Sequence, residues 1–212
     1  MNDSWKPEHK LALEFPHSFG HQSRSCVYLS TPITTGPAFI RWRKSLTTDL
    51  SEADRKYWKS HRAEVICENL ERIRPVALRI RTTISQTLID PTTLTMDGWE
   101  QAEYHEFWCQ VIRKWCFAVV LSEGWAFSTG CCEEAATALE LGLQTWREDL
   151  NPITAEVIKG EVLEARHELQ GSGMATQPYL IAASKVLRDS KSDVSSIAAT
   201  VDTSSDSQEV EE

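Results

Sequence analysis

The stretch from Asp97 to Gly142 limits the fold more than any other part of this chain. From Asp97 to Cys116 the positions Tyr104, Phe107, Trp108, Val111, Ile112 and Trp115 recur at steps of three and four, which predicts an amphipathic helix with Trp108 and Trp115 in the core. Phe117 to Leu121 is then apolar throughout, as expected for a strand covered on both faces in a parallel sheet. After the loop Ser122 to Phe127 a second helix opens near Ser128 and runs to Gly142, whose lack of a Cβ suits a left-handed C-terminal cap.

The rest of the chain repeats this alternation. Cys26 to Leu29 is a short β-prone run, and Gln86 to Asp90 is a second strand stopped by Pro91. Between them, residues 52 to 73 follow a candidate N-cap at Ser51 and carry the stripe Val65, Ile66, Leu70 and Ile73, a helix that Pro75 kinks or ends. Leu143 to Trp146 reads as a fourth strand, and Ile153 to Leu169 and Tyr179 to Leu187 read as helices. The expected architecture is therefore α/β, an open parallel sheet of about 4 to 5 strands with helices on both faces. Residues 41 to 85 exceed what a simple crossover requires, so a lid or a homo-oligomer surface is expected there.

With 212 residues the chain suits one domain, placed at residues 25 to 188, with extensions on either side over 1–24 and 189–212. The second extension holds seven acids, seven serines and no aromatic residue, a composition that predicts a disordered tail. It also carries most of the net charge of −9, which leaves the body nearly neutral and without a basic run. A polymeric nucleic acid needs a basic surface and is a poor partner for this chain. No apolar run reaches the length of a spanning helix, so neither a membrane partner nor a membrane location is expected. The six cysteines are scattered apart from the adjacent Cys131 and Cys132, and reduced thiols in the cytoplasm are the expectation. The histidines are dispersed without ligand spacing, so no metal and no cofactor is expected.

Ligands of open α/β sheets bind beyond the carboxyl ends of the strands, which singles out two loops. One is Ser30-Thr31-Pro32-Ile33-Thr34-Thr35-Gly36, and the other is Ser122 to Gly130, which feeds a helix N-terminus. Free N–H groups and the helix dipole make such a terminus a phosphate or carboxylate site, while the plainer reading is that Ser128 caps the helix and Gly130 permits close packing. In the helix itself Glu133, Thr137, Glu140 and Gln144 form a stripe read as solvated. Glu134 is rotated from it, and its neighbours Gly130, Cys131, Ala138 and Leu141 are small or apolar. It is either paired with a core donor, exposed in a pocket, or a surface acid at the stripe's edge.

The string Val119-Val120-Leu121-Ser122-Glu123-Gly124-Trp125, followed by Ser128-x-Gly130-x-x-x-Glu134-x-x-x-Ala138-x-x-x-Gly142, resembles the nucleoside 2-deoxyribosyltransferase-like superfamily, in a branch with Gly-Trp before the S-x-G-x-x-x-E element. Val27 to Ser30 with Pro32, Ile33 and Gly36 is similar to the first strand and loop of that group. The resemblance covers mainly residues 26 to 36 and 117 to 142. It implies a flavodoxin-like sheet and a nucleoside or nucleotide in the cleft between the first and third strands. Glu134 would then attack or stabilise an anomeric carbon, with Ser128 and Gly130 holding a 5′-phosphate. Ser30, Thr31, Pro32, Ile33, Gly124, Trp125, Gln101 and Tyr104 complete the expected substrate-binding set. Trp125 either stacks a base or covers the sheet end as a core aromatic.

One family feature is missing. The second acid falls near Cys109 in this chain, and Asp90 or Asp97 would have to replace it as a catalytic group unless both are only turn and cap residues. Two function classes follow. One is cleavage or transfer at an N-glycosidic bond, and the other is a noncatalytic nucleotide sensor or oligomerisation module in the same cleft.

Overall fold

Alternate residues of the two central strands face opposite cores, which is why both strands read as continuous apolar runs. In the computed structural model, which describes residues 23–46 and 54–188, four parallel strands form one sheet in the order β2-β1-β3-β4. They are β1 Cys26–Ser30, β2 Thr87–Ile89, β3 Cys116–Leu121 and β4 Gln144–Arg147. Cys26 and Tyr28 of β1 with Val119 and Leu121 of β3 face one core, and Val27, Leu29, Ala118 and Val120 face the other. Helices cover both faces, so the chain has an α/β, flavodoxin-like open sheet. Its strand order reverses between β1 and β3.

The helices are α1 Pro37–Ser45, α2 Arg55–His61, α3 Cys67–Thr83, α4 Gln101–Trp115, α5 Thr129–Glu140, α6 Ala155–Gly171 and α7 Gln177–Leu187. α3 buries Ile73, Val76, Ala77 and Ile80 against one face of the sheet. α4 and α5 cover the other, backed by α6 and α7, with Phe107, Trp108, Trp115, Ala135, Ile158 and Ala182 in one core. The segment between β1 and β2 has a small core of its own, in which Ala38 and Trp42 of α1 meet Tyr57 and Val65. A π-helical turn, Arg62–Ile66, joins α2 to α3.

Several boundaries differ from the sequence reading. The candidate cap Ser51 lies outside the described residues, and the described helix starts at Arg55, where the Asp54 carboxylate accepts the Lys56 N–H at 2.8 Å. Pro75 does not end this helix, which continues to Thr83. The proline sits on the exposed side, while Ile73, Val76 and Ala77 beside it hold the other side on the sheet. Burial of three apolar side chains, at roughly 1.5 to 3 kcal/mol for each full-sized one, outweighs the roughly 3 kcal/mol of an interior proline.

The helix expected from Asp97 begins instead at Gln101, where Glu100 and Glu103 form a reciprocal capping box. Gly142 does take the left-handed conformation at φ +61°, and Leu143 N–H donates to Ala138 C=O at 2.9 Å to close α5. At the start of the described residues the Ser23 hydroxyl and the Arg24 N–H both donate to the Lys114 carbonyl at the end of α4. Residues 1–22 and 189–212, the rest of the expected extensions, lie outside the described residues. Among the described residues no helix is long and apolar enough to cross a membrane.

Candidate functional site

Period-2 geometry points Tyr28 and Ser30 of β1 to the same side, and α5 crosses that side one turn after its start. Glu134 therefore meets both hydroxyls. Tyr28 Oη–H donates to Glu134 Oε1 at 2.8 Å, and Ser30 Oγ–H donates to Oε2 at 2.6 Å. The glutamate is 6% exposed. Burial raises its pKa from 4.5 to about 7, the two donors hold it from rising further, and the neighbouring Glu133 pushes it up. Burial, with Glu134 alongside, also lifts the Tyr28 phenol well above its ordinary value, so that hydroxyl stays a donor.

Above this carboxylate opens a cleft of about 310 Å³, beyond the carboxyl ends of β1 and β3. Thr31, Ile33 and Thr34 line it from the loop after β1, and Ser128, Gly130 and Cys131 from the start of α5. Gln101, Tyr104, His105 and Trp108 of α4 form the facing wall, with Pro91, Leu94 and Thr95 at one end and Ile66 of the π turn at another. Of the residues expected from sequence, the structure thus gathers Glu134, Thr31, Ile33, Ser128, Gly130, Gln101 and Tyr104 in one cavity, with Ser30 beneath as the carboxylate's partner.

The start of α5 is open. Ser128 occupies the N-cap position and makes no side-chain cap bond, so the plainer reading of it as a capping residue is not met. In the same cleft the Thr31 hydroxyl is buried and has no hydrogen-bond partner. Gly130 does permit close packing, since a Cβ there would lie 2.9 Å from His105 Nε2. Among the described residues no group of three His, Cys, Asp or Glu side chains is placed to hold a metal ion.

Comparison of the chain with family models, with curated proteins and with solved structures found no match.

Other expected positions belong to the scaffold. Asp90 accepts from the Thr92 N–H at 3.1 Å and hydroxyl at 2.6 Å and pairs with Arg81 at 3.0 Å, so it anchors the turn after β2 and does not line the cleft. Asp97 is exposed in the turn before α4 and does not line it either. Trp125 is 2% exposed, and its indole N–H donates to Glu161 at 2.7 Å, which makes it a core aromatic under α6 with no free face for a base. Gly124, at φ +74°, packs on Pro37, whose Cδ would lie 2.4 Å from a Cβ, and Pro32 packs in the same way under Gly36. Both positions shape the two loops. Cys109, where the resemblance would place a second acid, is turned toward Thr137, and burial pushes its thiol up to about 12.

The stripe read as solvated is partly covered. Thr137 is buried, and Glu133 pairs with Lys185 of α7 at 3.0 Å, while Gln144 has left the helix for the start of β4. Glu133, Thr137, Glu140 and Lys185 wall a broad groove of about 880 Å³ between α4, α5 and α7. Sequence reasoning missed Tyr28, His105 and Ile66. His105 had a legible signal, since it completes the α4 face of Gln101, Tyr104 and Trp108. Tyr28 was hidden in an apolar run, although its step of two to Ser30 was visible.

Proposed function

We propose that this cleft binds a nucleoside 5′-monophosphate and that Glu134 acts on its N-glycosidic bond, by cleavage or by (deoxy)ribosyl transfer. The observation that carries the reading is a buried carboxylate, held by Tyr28 and Ser30, on the floor of a cleft at the strand-order reversal. A pKa of about 7 leaves much of Glu134 ionised at neutral pH and keeps it nucleophilic. Its oxygen attacks the anomeric carbon as the C1′–N bond breaks. The base leaves with the bonding pair and takes a proton from solvent. Water, or a second base, then displaces the carboxylate. The uncapped start of α5 and the unpartnered Thr31 hydroxyl support an anionic group beside the sugar, in the place of the 5′-phosphate. Six free thiols support a reducing, cytosolic setting.

A noncatalytic nucleotide binder is the second reading. It is favoured by Glu134 being the only carboxylate among the described residues that line the cleft. A panel of nucleosides and their 5′-monophosphates tests both, read by chromatography for free base and by thermal shift for binding. Free base from the monophosphates, lost in Glu134→Gln, is the expected result. A thermal shift without free base selects the binder, and equal shifts from nucleosides and monophosphates remove the phosphate site.

A further inference from the structure

No lysine or arginine lines the cleft among the described residues, so an anion there has no permanent cationic partner. The side chain able to become one is His105. Its ring lies over the start of α5, close enough that a Cβ on Gly130 would stand 2.9 Å from Nε2 and 3.0 Å from Cδ2. Its other nitrogen, Nδ1, faces Glu133 Oε2 at 3.8 Å. One edge of the imidazole therefore looks at a carboxylate and the other at the uncapped turn where Ser128 and Gly130 meet the cleft.

We propose that His105 is the proton-carrying ligand of this anion site, taking up a proton as a phosphoryl or sulfuryl oxyanion seats at the start of α5 and donating to it from Nε2. The inference rests on the anion site of the proposed function and adds the residue that makes binding selective for charge. Two observations independent of the histidine point to a ligand here, the absent cap on a twelve-residue helix and the Thr31 hydroxyl, 5% exposed and without a partner.

The groups around the ring set its resting state. Glu133 of α5 favours the imidazolium, and Lys185 of α7 opposes it while bonding the same carboxylate at 3.0 Å. Glu134 lies on the next residue of α5 with its charge turned to Tyr28 and Ser30, Glu106 follows on α4, and Arg113, Glu140 and Arg188 share the groove behind the ring. Burial is the largest influence and lowers the pKa, which favours the neutral imidazole in the free protein. A dianion against Nε2 reverses that balance. Between the free and the bound pKa, one proton enters with each ligand, and affinity rises toward tenfold for each unit of falling pH, about the limit for a single linked proton.

Sulfate, which does not titrate in this range, and ribose 5-phosphate are the probes. NMR titration of the His105 imidazole, assigned by its absence in His105→Gln, is followed from pH 5 to 8 with and without each probe, together with the amides of Ser128 to Gly130. The expected result is an upward shift of the His105 midpoint by about one unit or more on adding either anion, with sulfate affinity rising as pH falls. In His105→Gln the affinity becomes nearly independent of pH. Amides that respond while the His105 midpoint stays fixed would overturn the proposal and leave the anion site standing. Proton uptake that persists in His105→Gln and disappears in Glu134→Gln would assign the proton to the glutamate and also overturn it. Amides and imidazole that ignore both anions would remove the anion site and the proposal together.

Discussion

Glu133 and Glu134 are adjacent in sequence and opposite in environment, and the difference comes from one helical step of about 100°. Glu133 reaches Lys185 at the edge of the broad groove, while Glu134 is enclosed by Tyr28 and Ser30. The raised pKa of Glu134 has a stability consequence with a definite sign. An acid whose pKa rises on folding binds its proton more tightly in the folded state, so the fold is favoured below pH 4.5 and loses that advantage as pH climbs to about 7. Glu134→Gln removes the titration. Relative to the native chain, the variant should therefore gain on the order of 1 to 3 kcal/mol between pH 4.5 and 8, measured by denaturant unfolding across that range. A constant difference would show that the carboxylate is not desolvated. If the glycosidic reading holds, the same substitution lowers turnover by orders of magnitude, whereas Glu133→Gln changes it little.

At the scale of elements, α3 does two jobs. One side packs on the sheet, and its Asn69 amide donates to the carbonyls of Ile33 and Thr35, both at 3.0 Å, while His61 of α2 meets the Thr34 carbonyl at 2.8 Å. The loop that brings Thr31, Ile33 and Thr34 into the cleft is thus held by the long helix above it. Asn69→Ala leaves two carbonyls without that partner and should cost about 1 to 3 kcal/mol, seen as a lower melting temperature with faster amide exchange at residues 33 to 35. An unchanged exchange rate there would show that the loop holds its own shape. Pro75 gives a prediction of opposite sign. It lacks the N–H that would bond Glu71 and faces solvent, so Pro75→Ala restores a helical bond at an exposed position. The gain of roughly 3 kcal/mol in helix preference is offset by about 1 kcal/mol of added freedom in the unfolded chain. A net stabilisation of about 1 to 2 kcal/mol is expected in thermal or denaturant unfolding.

Considered whole, the described residues build both sheet cores, and the last buried one among them is Val186 of α7. A chain ending at Arg188 should therefore keep its melting temperature and its ligand-induced shift. Residues 189 to 212 carry seven acids and no aromatic, too little apolar surface to balance the roughly 1 to 2 kcal/mol per residue that backbone ordering costs. A large drop in either measurement would show that this segment docks on the domain. The site owes its position to strand order. β1 lies between β2 and β3, so the loops after β1 and β3 part to opposite sides and leave the cleft between them.

The sequence by itself determined the strands and most of the helices, though not α1 Pro37–Ser45. Uninterrupted apolar runs at β1 and β3 marked strands buried on both sides, steps of three and four marked α4, Gly142 marked the end of α5, and one helical step set Glu134 apart from Glu133 while leaving open whether it was buried. These are local periodicities, fixed by backbone geometry within a few residues. Tertiary structure alone decided which side chains share a cavity. Asp90 and Asp97 looked available because they lie beside the second strand and the fourth helix, but Arg81 holds one and the turn before α4 leaves the other in water. Trp125 lies in the expected loop, yet Glu161 on a later helix draws it into the core. Tyr28 and Ser30 meet Glu134 across more than a hundred residues, and His105 reaches Gly130 from a different helix. Such encounters depend on strand order and on the crossing of distant elements, which no local pattern records, and the persistence of a helix through Pro75 has the same cause, because the sheet beneath it supplies more stabilisation than the proline removes.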